Sequence, residues 1–232
     1  MPDILSLSSR LIRVARRIPW TRTANGRARL AGVVVGPENF CFAPQPSWGV
    51  IIDAGVGRTP TFAPWIQRHT GAFVVLCDPT PKHLPGLRKW AQEHERTVLL
   101  EYAVARETGL VAFFESEEEE SGSIDGTHTN RGKASRMVQV QGLALGDLLH
   151  EAGRHGEISL VKLDTEGAEF GIFSAPSTLR ESLLACPQWL VEFHPVPQTG
   201  THILAVFRIR RYFAALGFRS FSPNGTDYLF FR

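Results

Sequence analysis

Cysteine is scarce in this sequence, and long apolar runs are missing from it. The three cysteines, Cys41, Cys77 and Cys186, are odd in number and lack the paired spacing of zinc ligands. Neither a disulfide framework nor a zinc site is expected, and a reducing, cytoplasmic location follows. No window holds the roughly 18 consecutive apolar residues of a membrane-spanning helix, so we expect no transmembrane segment.

A large charge of either sign is also missing. Lysine and arginine number 25 and aspartate and glutamate 23, which leaves a formal net charge of +2 over 232 residues. Such a balance gives no electrostatic reason to expect nucleic acid as a partner. The length fits one domain with a substantial core.

The N-terminal segment has a different composition. Apolar residues recur at helical spacing over positions 4–18 with arginines between them, which predicts a basic amphipathic helix that ends at Pro19. We favour docking of this helix on its own domain or on a second subunit of a homodimer. Peripheral contact with a membrane and an organellar targeting role stay open. Residues 1–48 are therefore treated as an extension and residues 49–232 as the main domain.

Strand-like and helix-like segments alternate from residue 49. Strands are predicted at 49–53, 73–78, 98–101, 157–164 and 188–193, and helices at 82–93, 169–185 and 203–216. Two further β-rich runs at 218–221 and 228–231 flank a Pro-Asn-Gly-Thr turn. The pattern predicts a doubly wound α/β fold, with a mostly parallel seven-stranded sheet and a C-terminal antiparallel hairpin.

The end of the first predicted strand carries a glycine turn. Asp53, Gly55 and Gly57 should lie beyond the carboxyl ends of the strands, where open α/β sheets bind ligands. Thr59 and Pro60 suit the N-cap and first position of a following helix. The third glycine of a nicotinamide fingerprint would fall at Pro60, so that fingerprint is broken.

An acid also follows the second strand. Asp78 stands where a carboxylate can accept both ribose hydroxyls of an adenosine. On the acid alone, S-adenosyl-L-methionine and a nicotinamide cofactor both remain open. The broken fingerprint and the terminal hairpin favour S-adenosyl-L-methionine, whose cationic methionine moiety could be held by Asp53.

One block of residues resembles a known family. Residues 161–169, Val-Lys-Leu-Asp-Thr-Glu-Gly-Ala-Glu, resemble the lysine, aspartate and glutamate-glycine-alanine-glutamate block of the FkbM-type methyltransferases. Supporting matches are Asp78-Pro79, Ala103-Val104 and the segments 145–149 and 191–194. Two positions differ, because the family usually has asparagine at the position of Gly57 and glycine at that of Thr59.

The resemblance implies a Rossmann-like class I methyltransferase fold that converts S-adenosyl-L-methionine to S-adenosyl-L-homocysteine. The acceptor would be a hydroxyl on a small molecule or glycan, such as a sugar, a glycolipid or a natural product. Glu101 and Ala103 after the third strand join the predicted cofactor residues, and the resemblance places Ser123 near the cofactor. Two other classes stay open, a nicotinamide-dependent oxidoreductase and a non-catalytic module that binds S-adenosyl-L-methionine.

Four residues at the ends of strands four and five are the predicted catalytic group. Asp164 and Glu166 follow one strand, and Glu192 and His194 follow the other, so all four should meet at one rim. His194 is the first candidate for the general base and Glu192 the second. Glu166 could instead cap the next helix, and His194 could be structural. A divalent cation at this rim is possible but not favoured.

A polar stretch runs over residues 115–136. It contains four consecutive glutamates at 117–120 and several glycines, with few apolar side chains and no clear period. Such a segment in a compact domain is typical of a lid or binding loop, or of a solvated loop. The two readings are equally weighted.

Overall fold

The computed structural model describes residues 24–116, 122–124, 135–194 and 201–232. The predicted helix over 4–18 lies outside the described residues. Among the helices that are described, none combines the length and the apolar character needed to cross a bilayer.

Strands and helices alternate along the chain, with short 3₁₀ turns at Pro37–Asn39 and Pro176–Leu179. The elements of the first part are α1 (Ala24–Ala31), β1 (Val34–Val35), β2 (Cys41–Phe42), β3 (Val50–Ala54), α2 (Phe62–Thr70), β4 (Phe73–Cys77), α3 (Leu84–Glu93), β5 (Thr97–Leu100), β6 (Ala103–Ala105), β7 (Gly109–Ser116) and β8 (Gly122–Ser123). The elements of the second part are β9 (Ser135–Ala144), α4 (Leu145–Gly153), β10 (Ile158–Leu163), α5 (Ala168–Ile172), α6 (Arg180–Ala185), β11 (Gln188–Glu192), α7 (Thr201–Ala215), β12 (Arg219–Phe221) and β13 (Asp227–Phe231).

Seven strands form the main sheet, in the order β12-β13-β11-β10-β3-β4-β5. Strands β3, β4, β5, β10 and β11 pair in parallel, whereas β13 is antiparallel to both β11 and β12. The predicted α/β class and the predicted number of seven strands in the sheet are confirmed. The strand order reverses between β3 and β10. Strands β4 and β5 lie on one side of β3, whereas β10 and β11 lie on its other side.

Helices cover both faces of this sheet. Alternate residues of the central strands point to opposite faces, so Ile52 packs with α4, α5 and α7 while Ile51 packs with α1, α2 and α3. Both side chains are fully buried. Burial on two faces explains why the central strands read as continuous apolar runs rather than as alternating ones.

Residues before position 49 contribute to this core. Val33, Phe40, Cys41 and Phe42 are buried in the same cluster as Ile51. Part of the predicted extension therefore packs on one face of the sheet.

The predicted helices have different bounds in the structure. Helix α3 begins at Leu84 rather than at residue 82, and α7 spans Thr201–Ala215 rather than 203–216. Helix α2 begins at Phe62 after an N-cap at Thr61, two residues later than expected, and the hydroxyl of Thr61 donates to Glu38 Oε2 at 3.0 Å rather than capping the helix. The predicted helix over 169–185 is divided into α5, a 3₁₀ turn and α6. The break precedes Pro176, and a residue before proline is disfavoured in helical conformation.

A second sheet was not predicted. Its order is β6-β9-β7-β8, and β7 pairs with β9 over eight residues from Gly109 to Ser116. Phe113 and Val140 point into its core, whereas Leu110 is 69% exposed. The polar stretch thus begins and ends inside strands, and its residues 117–121 and 125–134 lie outside the described part.

Candidate functional site

A cavity of about 650 Å³ opens at the carboxyl ends of β3, β4 and β10. Its wall includes Gly55, Gly57, Asp78, Ala103, Asp164, Glu166 and Glu192 from the predicted site. Lys162, Phe40, Tyr102, Phe113 and Ile124 also line it. The position beside the reversal of strand order is where open α/β sheets bind ligands.

The glycine turn brings two backbone segments close together. Gly55 has a φ of +81°, and a Cβ at that residue would lie 1.5 Å from the carbonyl oxygen of Asp164. Only glycine can therefore occupy this position without moving the loop after β10. Gly57 has a φ of +74° but faces open space in the cavity wall.

Asp78 connects the loops that follow β3 and β4. One of its carboxylate oxygens accepts a hydrogen bond from the amide of Gly57 at 2.9 Å, and the other accepts one from the amide of Thr80 at 2.9 Å. The residue is only 3% exposed, yet it forms part of the cavity wall. Its carboxylate is thus held in place before any ligand binds.

Two other predicted cofactor residues do not line the cavity. The carboxylate of Glu101 receives two hydrogen bonds from Arg88, at 2.5 and 2.6 Å, and this contact lowers the pKa of Glu101. Ser123 is buried in β8, and its neighbours Gly122 and Ile124 form the wall instead.

Lys162 is a buried cation that the sequence did not assign. Its ammonium lies 3.3 Å from Asp53 Oδ1 and 3.0 Å from Asp164 Oδ2, and it donates to the carbonyl of Gly55 at 3.4 Å. Burial alone would lower the pKa of Lys162, but Asp164 and Asp53 raise it above its usual value. The lysine therefore stays charged.

Asp53 lies behind this lysine rather than on the cavity wall. It is 1% exposed, and burial raises its pKa while the Lys162 ammonium opposes that rise. In the structure its partner is Lys162. Its place at the end of β3 makes it an anchor for the cation that faces the cavity.

The predicted catalytic group does come together around His194. The Nε2 atom of His194 lies 3.6 Å from Asp164 Oδ1, 3.7 Å from Glu166 Oε2 and 3.5 Å from Glu192 Oε1. The Nδ1 atom faces a further carboxylate that the sequence reading left without a role, Glu169 Oε1, at 3.5 Å. Burial lowers the pKa of His194, but Glu169, Glu166 and Asp164 outweigh it and raise the value to about 9.

Glu192 and His194 differ in their access to the cavity. Glu192 is part of the wall, whereas His194 is not among the lining residues. Burial, followed by the charges of Asp164 and Asp227, raises the pKa of Glu192 to about 7.

The helix-capping role considered for Glu166 is not found, because the N-cap of α5 is Gly167 and this cap has no side-chain hydrogen bond. The turn before α5 is held by Glu169 instead. Its fully buried carboxylate accepts hydrogen bonds from the amide of Thr165 at 2.6 Å and from the amide of Gly167 at 2.9 Å. These amides precede α5, and a carboxylate at a helix start is favoured by the helix dipole. Glu166 has a φ of +54° and lines the cavity. The position of Glu169 at the start of the helix predicted over 169–185 was the sequence signal for its role.

Acidic side chains outnumber basic ones on the cavity wall. Among the described lining residues, the acids are Glu38, Asp78, Asp164, Glu166 and Glu192, and the bases are Arg58 and Lys162. This excess of negative charge favours a cationic ligand and disfavours a polyphosphate. Asp164, Glu192 and His194 also offer atoms within 4.8 Å of one another, close enough to hold a metal ion.

The chain is similar to two solved structures, both at low sequence identity. No match was found among the curated proteins. Among solved structures, the chain is similar to the methyltransferase FkbM of Methylobacillus flagellatus KT, with 14% identity and a TM-score of 0.49 over 80% of this chain. It is also similar to a fibrillarin/Nop5p complex, with 9% identity and a TM-score of 0.44 over 92% of this chain and 81% of that chain.

The chain spans only 44% of the length of that FkbM protein. The model of the methyltransferase FkbM domain matches residues 41–220. The match includes the strands from β2 to β11 and the cavity-wall residues from Gly55 to Glu192, but it leaves out strand β13 and the wall residues Glu38 and Phe40. Since this match covers most of the sequence, the chain belongs to the FkbM methyltransferase domain family.

Proposed function

We propose that this protein transfers a methyl group from S-adenosyl-L-methionine to a hydroxyl group of a sugar, glycolipid or natural product. The observation that carries the proposal is the acid-rich cavity beside the glycine turn. The methyl donor has a cationic sulfonium and carries no phosphate, so an excess of carboxylates attracts it. A nicotinamide cofactor would instead bring a diphosphate against those carboxylates, and the turn that would receive it has Pro60 in place of its third glycine.

The residues around the cavity fit the parts of this cofactor. Asp78 would accept hydrogen bonds from the ribose, and the apolar wall of Val104, Phe113 and Ile124 would contact the adenine. Lys162 would attract the cofactor's carboxylate, because its ammonium faces the cavity from between Asp53 and Asp164. The amide groups at the Gly55–Gly57 turn approach the ligand without a side chain between them.

Glu192 is the proposed general base. It lines the cavity, and its raised pKa of about 7 suits proton transfer near neutral pH. His194, our first candidate from sequence, has a pKa of about 9 and is therefore protonated and unable to accept a proton at neutral pH. In this scheme His194 positions the carboxylates of Glu192 and Asp164.

The reaction needs no other reactant. The acceptor oxygen attacks the methyl carbon in line with the carbon–sulfur bond, which breaks and leaves its electron pair on sulfur. The hydroxyl proton passes to the carboxylate of Glu192, and S-adenosyl-L-homocysteine is the product. Positioning of the two substrates supplies much of the acceleration, as expected for an intermolecular displacement.

The decisive experiment follows labelled methyl from S-adenosyl-L-methionine into a panel of sugars, glycolipids and hydroxylated natural products. Label that appears in a hydroxyl-bearing product, with one equivalent of S-adenosyl-L-homocysteine, supports the proposal. Parallel reactions with a chelator test whether a cation at Asp164, Glu192 and His194 takes part. If the protein binds the cofactor but gives no labelled product with any acceptor, the non-catalytic binding module is favoured instead.

A further inference from the structure

Helix α7 exposes an apolar face that the core does not use. Its inner face is buried through Ile209 and Phe213, which pack against β12 and β13. On the opposite face, Ile203 is 66% exposed, Leu204 60% and Phe207 54%. Three large apolar side chains on consecutive turns make a contiguous patch, and such patches mark sites of contact with a partner or a membrane.

Arginines follow this patch along the helix. Helix α7 contains Arg208, Arg210 and Arg211 and no acidic residue, so it is strongly basic within a nearly neutral chain. The guanidinium of Arg211 lies 5.9 Å from the centre of the Phe207 ring, beside the apolar patch. An apolar face bordered by arginines is typical of helices that lie in the interface of an anionic bilayer.

The patch lies toward the end of α7 that is nearer to the carboxyl ends of the strands, the side of the sheet on which the cavity opens. The C-terminal part of α7 lies beside the amino end of β11, where the ring centres of Phe213 and Trp189 are 6.5 Å apart. Further toward the N-terminus, Arg210 lies over the ring of Tyr228 at 5.0 Å, and Tyr228 is next to Asp227, the residue that pairs with Glu192. Ile203 lies a further ~10 Å along the helix axis in the same direction, at about 1.5 Å per residue.

We infer that the exposed face of α7 docks on an anionic lipid surface and presents the cavity to a hydroxyl carried by a membrane amphiphile. Docking itself depends only on the patch, whereas the assignment of a lipid-borne acceptor rests on the proposed methyl transfer. A second copy of the chain fits less well, since a two-fold contact through this face would bring the arginines of the two helices together. Anionic headgroups neutralise the same charges.

The test is co-sedimentation of the full chain with vesicles of phosphatidylglycerol and phosphatidylcholine, and with vesicles of phosphatidylcholine alone. The key variant carries Ile203→Glu, Leu204→Glu and Phe207→Glu, and a second carries Arg208→Glu and Arg211→Glu. The matched control carries Leu110→Glu and Met137→Glu, which change equally exposed apolar residues on the second sheet. Calorimetric binding of S-adenosyl-L-methionine is measured on every variant, and thermal unfolding shows separately that each one is folded.

The inference predicts binding to the anionic vesicles that falls at least about tenfold in both α7 variants and stays unchanged in the control. Equal binding by all variants would overturn it, because the N-terminal segment or another surface would then carry the contact. A parent dimer that the α7 variants dissociate, with no vesicle binding, would overturn it too. Docking that depends on α7 in a protein without affinity for S-adenosyl-L-methionine would instead contradict the proposed function and leave the surface assignment intact.

Discussion

The ammonium of Lys162 lies 3.0 Å from a carboxylate oxygen of Asp164, and both side chains belong to the cavity wall. The same ammonium contacts Asp53 on its buried side. One cation therefore joins the end of β3 to the end of β10, at the position where the strand order reverses. This contact couples the stability of the sheet to the geometry of the site.

Loss of this cation should destabilise the fold. Lys162→Met leaves Asp53 buried without a partner, and removing one member of a buried ion pair costs about 3–5 kcal/mol. Lys89→Met is the matched control, because Lys89 is 76% exposed and its pair with Glu93 contributes less than about 1 kcal/mol. Urea unfolding at neutral pH measures both. Addition of Asp53→Asn to the Lys162→Met protein should restore part of the loss, and a cost below about 1 kcal/mol for Lys162→Met would refute the coupling.

Three glycines with a positive φ should respond differently to alanine. Gly55→Ala places a methyl group against the Asp164 carbonyl and should prevent correct folding of the site. Gly57→Ala and Gly71→Ala meet no neighbouring atom and should each cost about 1–2 kcal/mol for the positive φ alone. Of the latter two, only Gly57→Ala should weaken binding of S-adenosyl-L-methionine, since Gly71 ends α2 away from the cavity. Equal cofactor affinities for these two variants would remove Gly57 from the binding surface.

The stability of the protein should fall as the pH rises. His194 has a pKa of about 9 in the folded protein against 6.5 when unperturbed, so the folded state holds the proton more tightly than the unfolded state. The resulting stabilisation is complete below about pH 6.5 and is lost as the pH rises through about 9. Glu192, with a pKa of about 7 against 4.5, acts in the same direction at lower pH. Urea unfolding across this range should show the decline, and His194→Gln should flatten its alkaline part. A stability that rises between about pH 6.5 and 9 would contradict the protonated state of His194.

Glu192 and His194 should have separable effects on turnover. Glu192→Gln removes the proposed base and should lower the single-turnover rate by about a hundred- to ten-thousandfold. His194→Gln removes a positive charge that lowers the pKa of Glu192, so the rate should persist with its pH profile displaced to higher pH. Thermal unfolding identifies losses that come from unfolded protein. A rate that is lost in His194→Gln and kept in Glu192→Gln would return His194 to the role of base.

The strands of the main sheet and the rim residues could be predicted because each depends on local sequence. Asp164, Glu166, Glu192 and His194 lie at or just beyond the ends of β10 and β11, and these strand ends meet at one edge. The roles of Lys162 and Asp53 could not be predicted, since their pairing joins residues that are adjacent only across the β3–β10 register. The pairing of Glu101 with Arg88 depends on how α3 packs beside β5, which the sequence pattern does not show.

The second sheet escaped prediction for a different cause. Its strands β7 and β9 enclose a long polar segment, and much of the exposed face of β9 carries polar residues. Phe113 is buried and Leu110 is exposed on the same strand, β7. Which of the two faces the core is decided by the pairing of β7 with β9, and the sequence of β7 alone does not show it.

Calorimetric titration of the folded protein with S-adenosyl-L-methionine and, separately, with NAD tests the proposed cofactor site. That site should bind S-adenosyl-L-methionine and bind NAD at least about tenfold more weakly, and Asp78→Ala should lower the S-adenosyl-L-methionine affinity at least about tenfold. Glu93→Gln, an exposed carboxylate on α3, serves as the control and should bind like the parent. Preferential binding of NAD, or an unchanged S-adenosyl-L-methionine affinity in Asp78→Ala, would contradict the proposed cofactor site.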